Sequence, residues 1–283
     1  MPKAASSEGS GLWYQDRGLR RAPTVLALHG FTGSHRTFGA LAACAGPRLR
    51  TVAPDLPGHG RTGGSDPASM TMARTAAALL SLPLPRAFHL VGYSMGARTA
   101  LYLALSAPER VLSLVLESGS PGLADARERE ARRASDEHWV RVLMEEGLSV
   151  FAARWGAQPL FATQRRLPAP VRRRIGRERR RQDPAGLAAS LRGAGTGVQE
   201  SQWENLRRLS LPVLVVAGER DAKFVSIAGA MAARMPTARV VVLPDCGHAP
   251  HLEAPAPFLR LLAEFWSGLP DAPRLPPPWG AAG

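Results

Sequence analysis

The sequence predicts an α/β fold: a mostly parallel central sheet flanked by helices, with a helical insertion acting as a lid. Three observations predict it. Short apolar runs rich in Val and Leu alternate with helix-like stretches along the chain. Those runs lack polar alternation, which suits strands buried on both faces of a parallel sheet covered by helices. One long stretch, 122–209, breaks the rhythm with Arg, Glu and Ala where β-branched runs would otherwise recur. A chain of 283 residues accommodates one such domain with an insertion better than two independent halves.

Residues 1–10 and the Pro-rich end, 269–283, show no sustained periodicity and read as loose termini. The core is then 11–121 and 210–268. Strands are expected at 24–28, 50–53, 88–91, 111–116, 213–217 and 240–243, and core helices at 71–80, 95–106, 227–235 and 256–266. Right-handed crossovers would join them. Within 122–209, helical spacing is clearest at 128–147 and 186–191. An insertion between two strands would lie over the carboxyl ends of the sheet, where open α/β sheets bind ligands.

The net charge of +13 suits nucleic acid, an anionic surface or an anionic substrate. It suits equally a solvated surface on which Arg has replaced Lys, since Lys occurs only at Lys3 and Lys223. The chain carries no nucleic-acid motif and few aromatics among its arginines, so no nucleic-acid partner is expected. Two cysteines, Cys44 and Cys246, are too few for a disulfide framework or a metal site of the usual spacing. The first ten residues have no apolar core like that of a signal peptide, and no apolar stretch is long enough to cross a bilayer. A cytoplasmic protein without membrane insertion is expected; oligomeric state is not legible.

The chemistry centres on Gly92-Tyr93-Ser94-Met95-Gly96, which follows an apolar run and opens a helix. A serine between two glycines at a strand-to-helix junction reads as a nucleophile elbow. Taken alone, Ser94 is also readable as a helix N-cap. Asp221, in Gly218-Glu219-Arg220-Asp221, and His248, in Asp245-Cys246-Gly247-His248, each follow a predicted strand. Ser, Asp and His in that order supply nucleophile, imidazole-orienting carboxylate and base. His251 is a rival base, Glu117 a rival acid, and Asp221 a candidate helix cap. Backbone amides at Phe31, after Gly30, and at Met95 are the candidate donors to a developing oxyanion. The glycine-rich turn Asp55-Leu56-Pro57-Gly58-His59-Gly60 reads as structural, and His29 as a loop support. Arg98 lies one helical turn beyond Ser94 on the same face, where a guanidinium would match a substrate carboxylate or pair with a neighbouring acid.

From Leu26 to Trp266 these motifs resemble the α/β hydrolase superfamily. The chain also resembles one family within it, the menaquinone-pathway synthases that make 2-succinyl-6-hydroxy-2,4-cyclohexadiene-1-carboxylate. The likeness is carried by Gly92-Tyr93-Ser94-Met95-Gly96-Ala97-Arg98, Ser120-Pro121-Gly122-Leu123, Phe151-Ala152-Ala153-Arg154-Trp155 and Gly218-Glu219-Arg220-Asp221-Ala222-Lys223-Phe224, and by lid segments around Arg132–Asp136 and Gly186–Gln199. The resemblance implies a lyase that eliminates pyruvate from a small polycarboxylate, with the triad as general base and no metal or organic cofactor. It further implies carboxylate binding by Arg98, Arg132 and Arg179, with Tyr93, Trp155 and Lys223 nearby. Arg179 sits in a crowded basic run, 172–181, followed by Gln182-Asp183-Pro184, which departs from the family's usual Asn-containing sequence. A hydrolase of an anionic ester, thioester or C–C bond would use the same triad.

Overall fold

The computed structural model describes residues 3–6 and 11–269. The predicted loose C-terminal end lies outside the described residues beyond Leu269. Eight strands form one sheet: β1 (Lys3–Ser6), β2 (Trp13–Arg17), β3 (Thr24–Leu28), β4 (Arg50–Pro54), β5 (Phe88–Tyr93), β6 (Val111–Glu117), β7 (Val213–Gly218) and β8 (Ala238–Leu243). Their order is β1-β2-β4-β3-β5-β6-β7-β8. From β4 through β8 every neighbouring pair is parallel, while β2 pairs antiparallel with β4 and β1 with β2.

The six predicted strands form at or within two residues of the expected positions. Their apolar runs have a physical reason: β3, β4 and β7 are buried at every position. Two strands escape the sequence signal. β2 reads Trp-Tyr-Gln-Asp-Arg and β1 Lys-Ala-Ala-Ser. β1 is the edge strand and β2, next to it and paired on both sides, buries only Tyr14, so continuous apolar sequence is not required in either. Lys3–Ser6 therefore belongs to the sheet, not to a loose terminus.

The core helices are α1 (Gly39–Ala45), α2 (Met72–Leu80), α3 (Met95–Ser106), α8 (Ala222–Ala232), α9 (Pro250–Glu253) and α10 (Pro255–Ser267); between them in sequence lie α4 (Ala126–Arg141), α5 (Leu148–Ala157), α6 (Ala169–Arg179) and α7 (Pro184–Ala194). The helix expected at 227–235 instead begins at Ala222. Asp221 is its N-cap and accepts the Phe224 amide, which sets the start five residues early.

One apolar cluster packs α2, α3 and α8 against the sheet, and a second packs α1 and α10, with Trp266 fully buried. The segment between β6 and β7 carries α4–α7 and has its own apolar cluster, built from Val140, Leu143, Phe151, Trp155, Phe161 and Leu187. Phe31, from the loop after β3, packs into that cluster. Among the described residues no helix is long and apolar enough to cross a membrane.

Candidate active site

Ser94 sits between β5 and α3 with φ 51° and ψ −109°, a conformation that costs a non-glycine residue on the order of 1–3 kcal/mol. The surrounding chain over-determines it. The Ser94 amide donates to the Glu117 carbonyl at 2.8 Å, and its carbonyl accepts from the Arg98 amide at 3.0 Å. A Cβ on Gly96 would collide with the Leu28 carbonyl, and one on Gly92 with the Gly96 carbonyl, so only glycine allows this close turn. Ser94 is the N-cap of α3, yet its hydroxyl makes no capping bond. It is instead 3.0 Å from His248 Nε2.

His248 Nδ1 lies 2.7 Å from Asp221 Oδ2. The other Asp221 oxygen accepts the Phe224 amide at 3.4 Å, so one carboxylate both caps α8 and orients the imidazole. The rivals are paired with each other. His251 donates its backbone amide and presents Nδ1 to Glu117 Oε1, each at 2.8 Å.

The serine faces a cavity of about 1410 Å³ between the sheet's carboxyl edge and the α4–α7 segment. Tyr93, Trp155, Arg98, Arg132, Arg179 and Lys223 all line it, as do Phe31 and Met95. A Cβ on Gly30 would collide with the Tyr93 ring, so this position admits only glycine. The left-handed residue of that loop is Thr32, at φ 66°. The Tyr93 ring is 5.5 Å from that of His248, and burial, reinforced by Glu117, holds its phenol well above the usual range.

Arg98 is buried, 9% exposed, and donates from Nη1 to the Ala194 carbonyl at 2.9 Å and to Gln199 Oε1 at 2.6 Å. Both acceptors are neutral, and among the described residues no carboxylate forms a direct ion pair with it. Burial lowers its pKa to about 9; Arg132 repels the charge further, while Asp136 opposes the shift. Arg132 Nε bonds Asp136 Oδ1 at 2.8 Å. Burial raises the Asp136 pKa although both arginines pull it down. Arg179 lies over the Phe161 ring at 4.8 Å, reaches Gln164 Oε1 at 3.5 Å, and is lowered in pKa by burial. Of its basic run, Arg174 also lines the cavity. The cavity wall thus carries seven arginines and Lys223 against three carboxylates, Glu128, Asp136 and Glu178.

Sequence reasoning missed Gln199 and Gln182. Buried glutamine amides have no motif; the available signal was only an uncharged polar residue in segments otherwise apolar or basic. The Asp55–Gly60 turn is structural as expected. Asp55 Oδ1 accepts the His35 amide at 2.6 Å, and Oδ2 accepts the Arg61 amide at 2.9 Å. His29 bridges two loops, near the Gly30 carbonyl at 2.8 Å and accepting the Leu56 amide at 2.9 Å.

A strand-to-helix serine, in-line histidine and aspartate, and a parallel sheet with a helical segment over its carboxyl edge define an α/β hydrolase-fold enzyme; the model of the alpha/beta hydrolase fold family matches residues 23–255. Within that fold the chain belongs to the 2-succinyl-6-hydroxy-2,4-cyclohexadiene-1-carboxylate synthase family. It is 36% identical, over 93% of its length and 97% of the relative's, to the putative synthase of that name from Bacillus subtilis. It is 34% identical to the synthase of Klebsiella pneumoniae, covering 88% of this chain and 96% of that one. The solved structure of MenH from S. aureus superposes with a TM-score of 0.86 at 31% identity, covering 90% of this chain and 98% of that one.

Proposed function

We propose that this enzyme is a carbon–oxygen lyase of menaquinone biosynthesis. In this reading it eliminates pyruvate from 2-succinyl-5-enolpyruvyl-6-hydroxy-3-cyclohexene-1-carboxylate to give 2-succinyl-6-hydroxy-2,4-cyclohexadiene-1-carboxylate. The observation that carries the reading is the juxtaposition of a hydrogen-bonded Ser94–His248–Asp221 line with a buried Arg98 lacking a direct carboxylate partner. A neutral substrate gives such a cation nothing to bind. A tricarboxylate matches it, together with Arg132, Arg179 and Lys223.

His248 Nε2 takes the Ser94 proton while Asp221 holds Nδ1–H and stabilises the imidazolium. The serine oxygen removes the ring proton beside the succinyl carbonyl. The electron pair of that C–H bond shifts across the ring alkene to form the conjugated diene, and the ring C–O bond to the enolpyruvyl group breaks. The departing enolate takes a proton on carbon and leaves as pyruvate. No water enters the balance. Charge that spreads onto the succinyl oxygen is met by the Phe31 and Met95 amides, the latter at the start of α3. Residues 122–209 act as the lid, since their helices carry Arg132, Trp155 and Arg179 to the cavity. A cytoplasmic setting completes the reading.

The test is incubation of the purified protein with the enolpyruvyl substrate while free pyruvate is followed. Release dependent on Ser94 supports the lyase. Absence of release, with turnover of an anionic ester or thioester instead, would favour hydrolysis by the same triad.

A further inference from the structure

The loop that carries the Phe31 amide holds a strained residue. Thr32 is β-branched and adopts φ 66°, a region such residues rarely enter. Local bonds account for part of its hold: Gly33 donates to the Gly30 carbonyl at 2.9 Å, and the His35 amide donates to Asp55. The rest comes from the segment joining α6 to α7.

Gln182 is 5% exposed and sets its carboxamide between this loop and the Asp55–Gly60 turn. Its Nε2 donates to the Thr32 carbonyl at 3.2 Å and the Gly33 carbonyl at 3.1 Å, with the Glu178 carbonyl at 3.4 Å. Its Oε1 accepts the Gly60 amide at 2.9 Å. The assignment of the two ends is fixed by the partners, because carbonyls need the NH₂ and an amide needs the oxygen. Two further contacts tie the loop to helices of the same insertion: Ser34 Oγ donates to Glu178 Oε1 of α6, and Phe31 sets its ring edge-on to Trp155 of α5 at 5.1 Å. The strained loop is therefore gripped from the lid side by backbone-directed bonds and by its own aromatic side chain.

We propose that Gln182 is a positioning residue: its carboxamide holds the Thr32 turn in its left-handed conformation and so aims the Phe31 amide at the reacting oxygen. The proposal rests on the role given to Phe31 above. It makes the charge-stabilising loop dependent on the lid, because the residue that fixes the loop belongs to the lid's own chain segment. Oxyanion stabilisation depends on donors fixed before reaction, so loss of this grip lowers turnover more than substrate binding.

The experiment compares wild type with Gln182→Leu and the isosteric Gln182→Glu, one of whose oxygens would face three carbonyls while the other keeps the Gly60 amide. Two readouts are taken on the full-length protein. In hydrogen exchange, the Gly33 and His35 amides should exchange at least about tenfold faster in the variants, with β5 and α3 unchanged. In pyruvate release, kcat should fall about 10- to 100-fold with KM altered less than about threefold. Thr32→Gly in the Gln182→Leu background should recover a substantial part of the lost kcat, since glycine occupies positive φ without strain; a residue that merely supports the fold would not be rescued this way. Unchanged exchange at Gly33 and His35, a loss confined to KM, or no recovery on adding Thr32→Gly overturns the proposal. If Gln182→Leu fails to fold, Gln182→Glu carries both readouts. A wild-type protein that releases no pyruvate defeats the lyase reading, and the exchange measurement then decides this one alone.

Discussion

Arg98 donates to Gln199 Oε1 at 2.6 Å, so the guanidinium one helical turn beyond Ser94 is held by a neutral amide of the α7–β7 connection. Among the described residues no carboxylate forms a direct ion pair with it, which is the basis for the proposed carboxylate site. Arg98→Ala should reduce kcat/KM by roughly 2–5 kcal/mol, about 30-fold to several-thousand-fold. Arg98→Lys should recover little, because a compact ammonium cannot keep the Ala194 and Gln199 bonds and also offer a planar fork to a carboxylate. Steady-state pyruvate release measures both. Unchanged kinetics in Arg98→Ala would remove the charge argument for a polycarboxylate.

Asp221 divides its oxygens between the Phe224 amide and His248 Nδ1. Asp221→Asn can retain the cap through its carbonyl oxygen, but turns an NH₂ toward the imidazole and selects the wrong tautomer. The expected result is a protein that melts within a few degrees of wild type, with kcat lower by about 10³- to 10⁴-fold. Thermal unfolding and turnover on the same preparation check it.

His59 is buried beside His29, and desolvation first, then that neighbour, lowers its pKa from 6.5 to about 3. A depressed histidine pKa means that the unfolded chain takes up the proton first. Stability is therefore lost progressively as pH falls from about 6.5 toward 3, and none of this loss is present at neutral pH. Between pH 7 and pH 4.5 the share from His59 is on the order of 2–3 kcal/mol. Urea melts of His59→Gln should accordingly lose less stability over that interval than wild type. Equal losses would show that acid sensitivity arises elsewhere.

Much of this arrangement is legible in the sequence, for physical reasons that differ by element. Strands β3, β5, β6 and β7 announce themselves because burial on both faces demands continuous apolar residues. Ser94, Asp221 and His248 are legible because their chemistry ties each to a strand end and to a chain order. The edge strand β1 and its neighbour β2 are not, since β1 is held by backbone pairing and β2 buries only Tyr14. Arg179 could be named from the family resemblance, but the basic run gives no local reason to choose it. Its place is set by helix phase, which turns it over Phe161 and against Gly156. Gln182 and Gln199 act through amides aimed at backbone or at another side chain, a use that leaves no pattern along the chain.

Ser94→Ala removes a hydroxyl that bonds His248 and makes no helix cap. Stability should change little, while turnover should fall about a thousandfold or more. Circular dichroism melts alongside pyruvate release separate the two effects.

The most direct measurement is the stoichiometry of the reaction on the enolpyruvyl substrate, following pyruvate enzymatically and the conjugated diene by its absorbance. The expected result is one pyruvate for each diene formed, in wild type and not in Ser94→Ala. Cleavage of a succinyl or ester bond with uptake of water, and no pyruvate, would contradict the assignment of Ser94 as the base of an elimination.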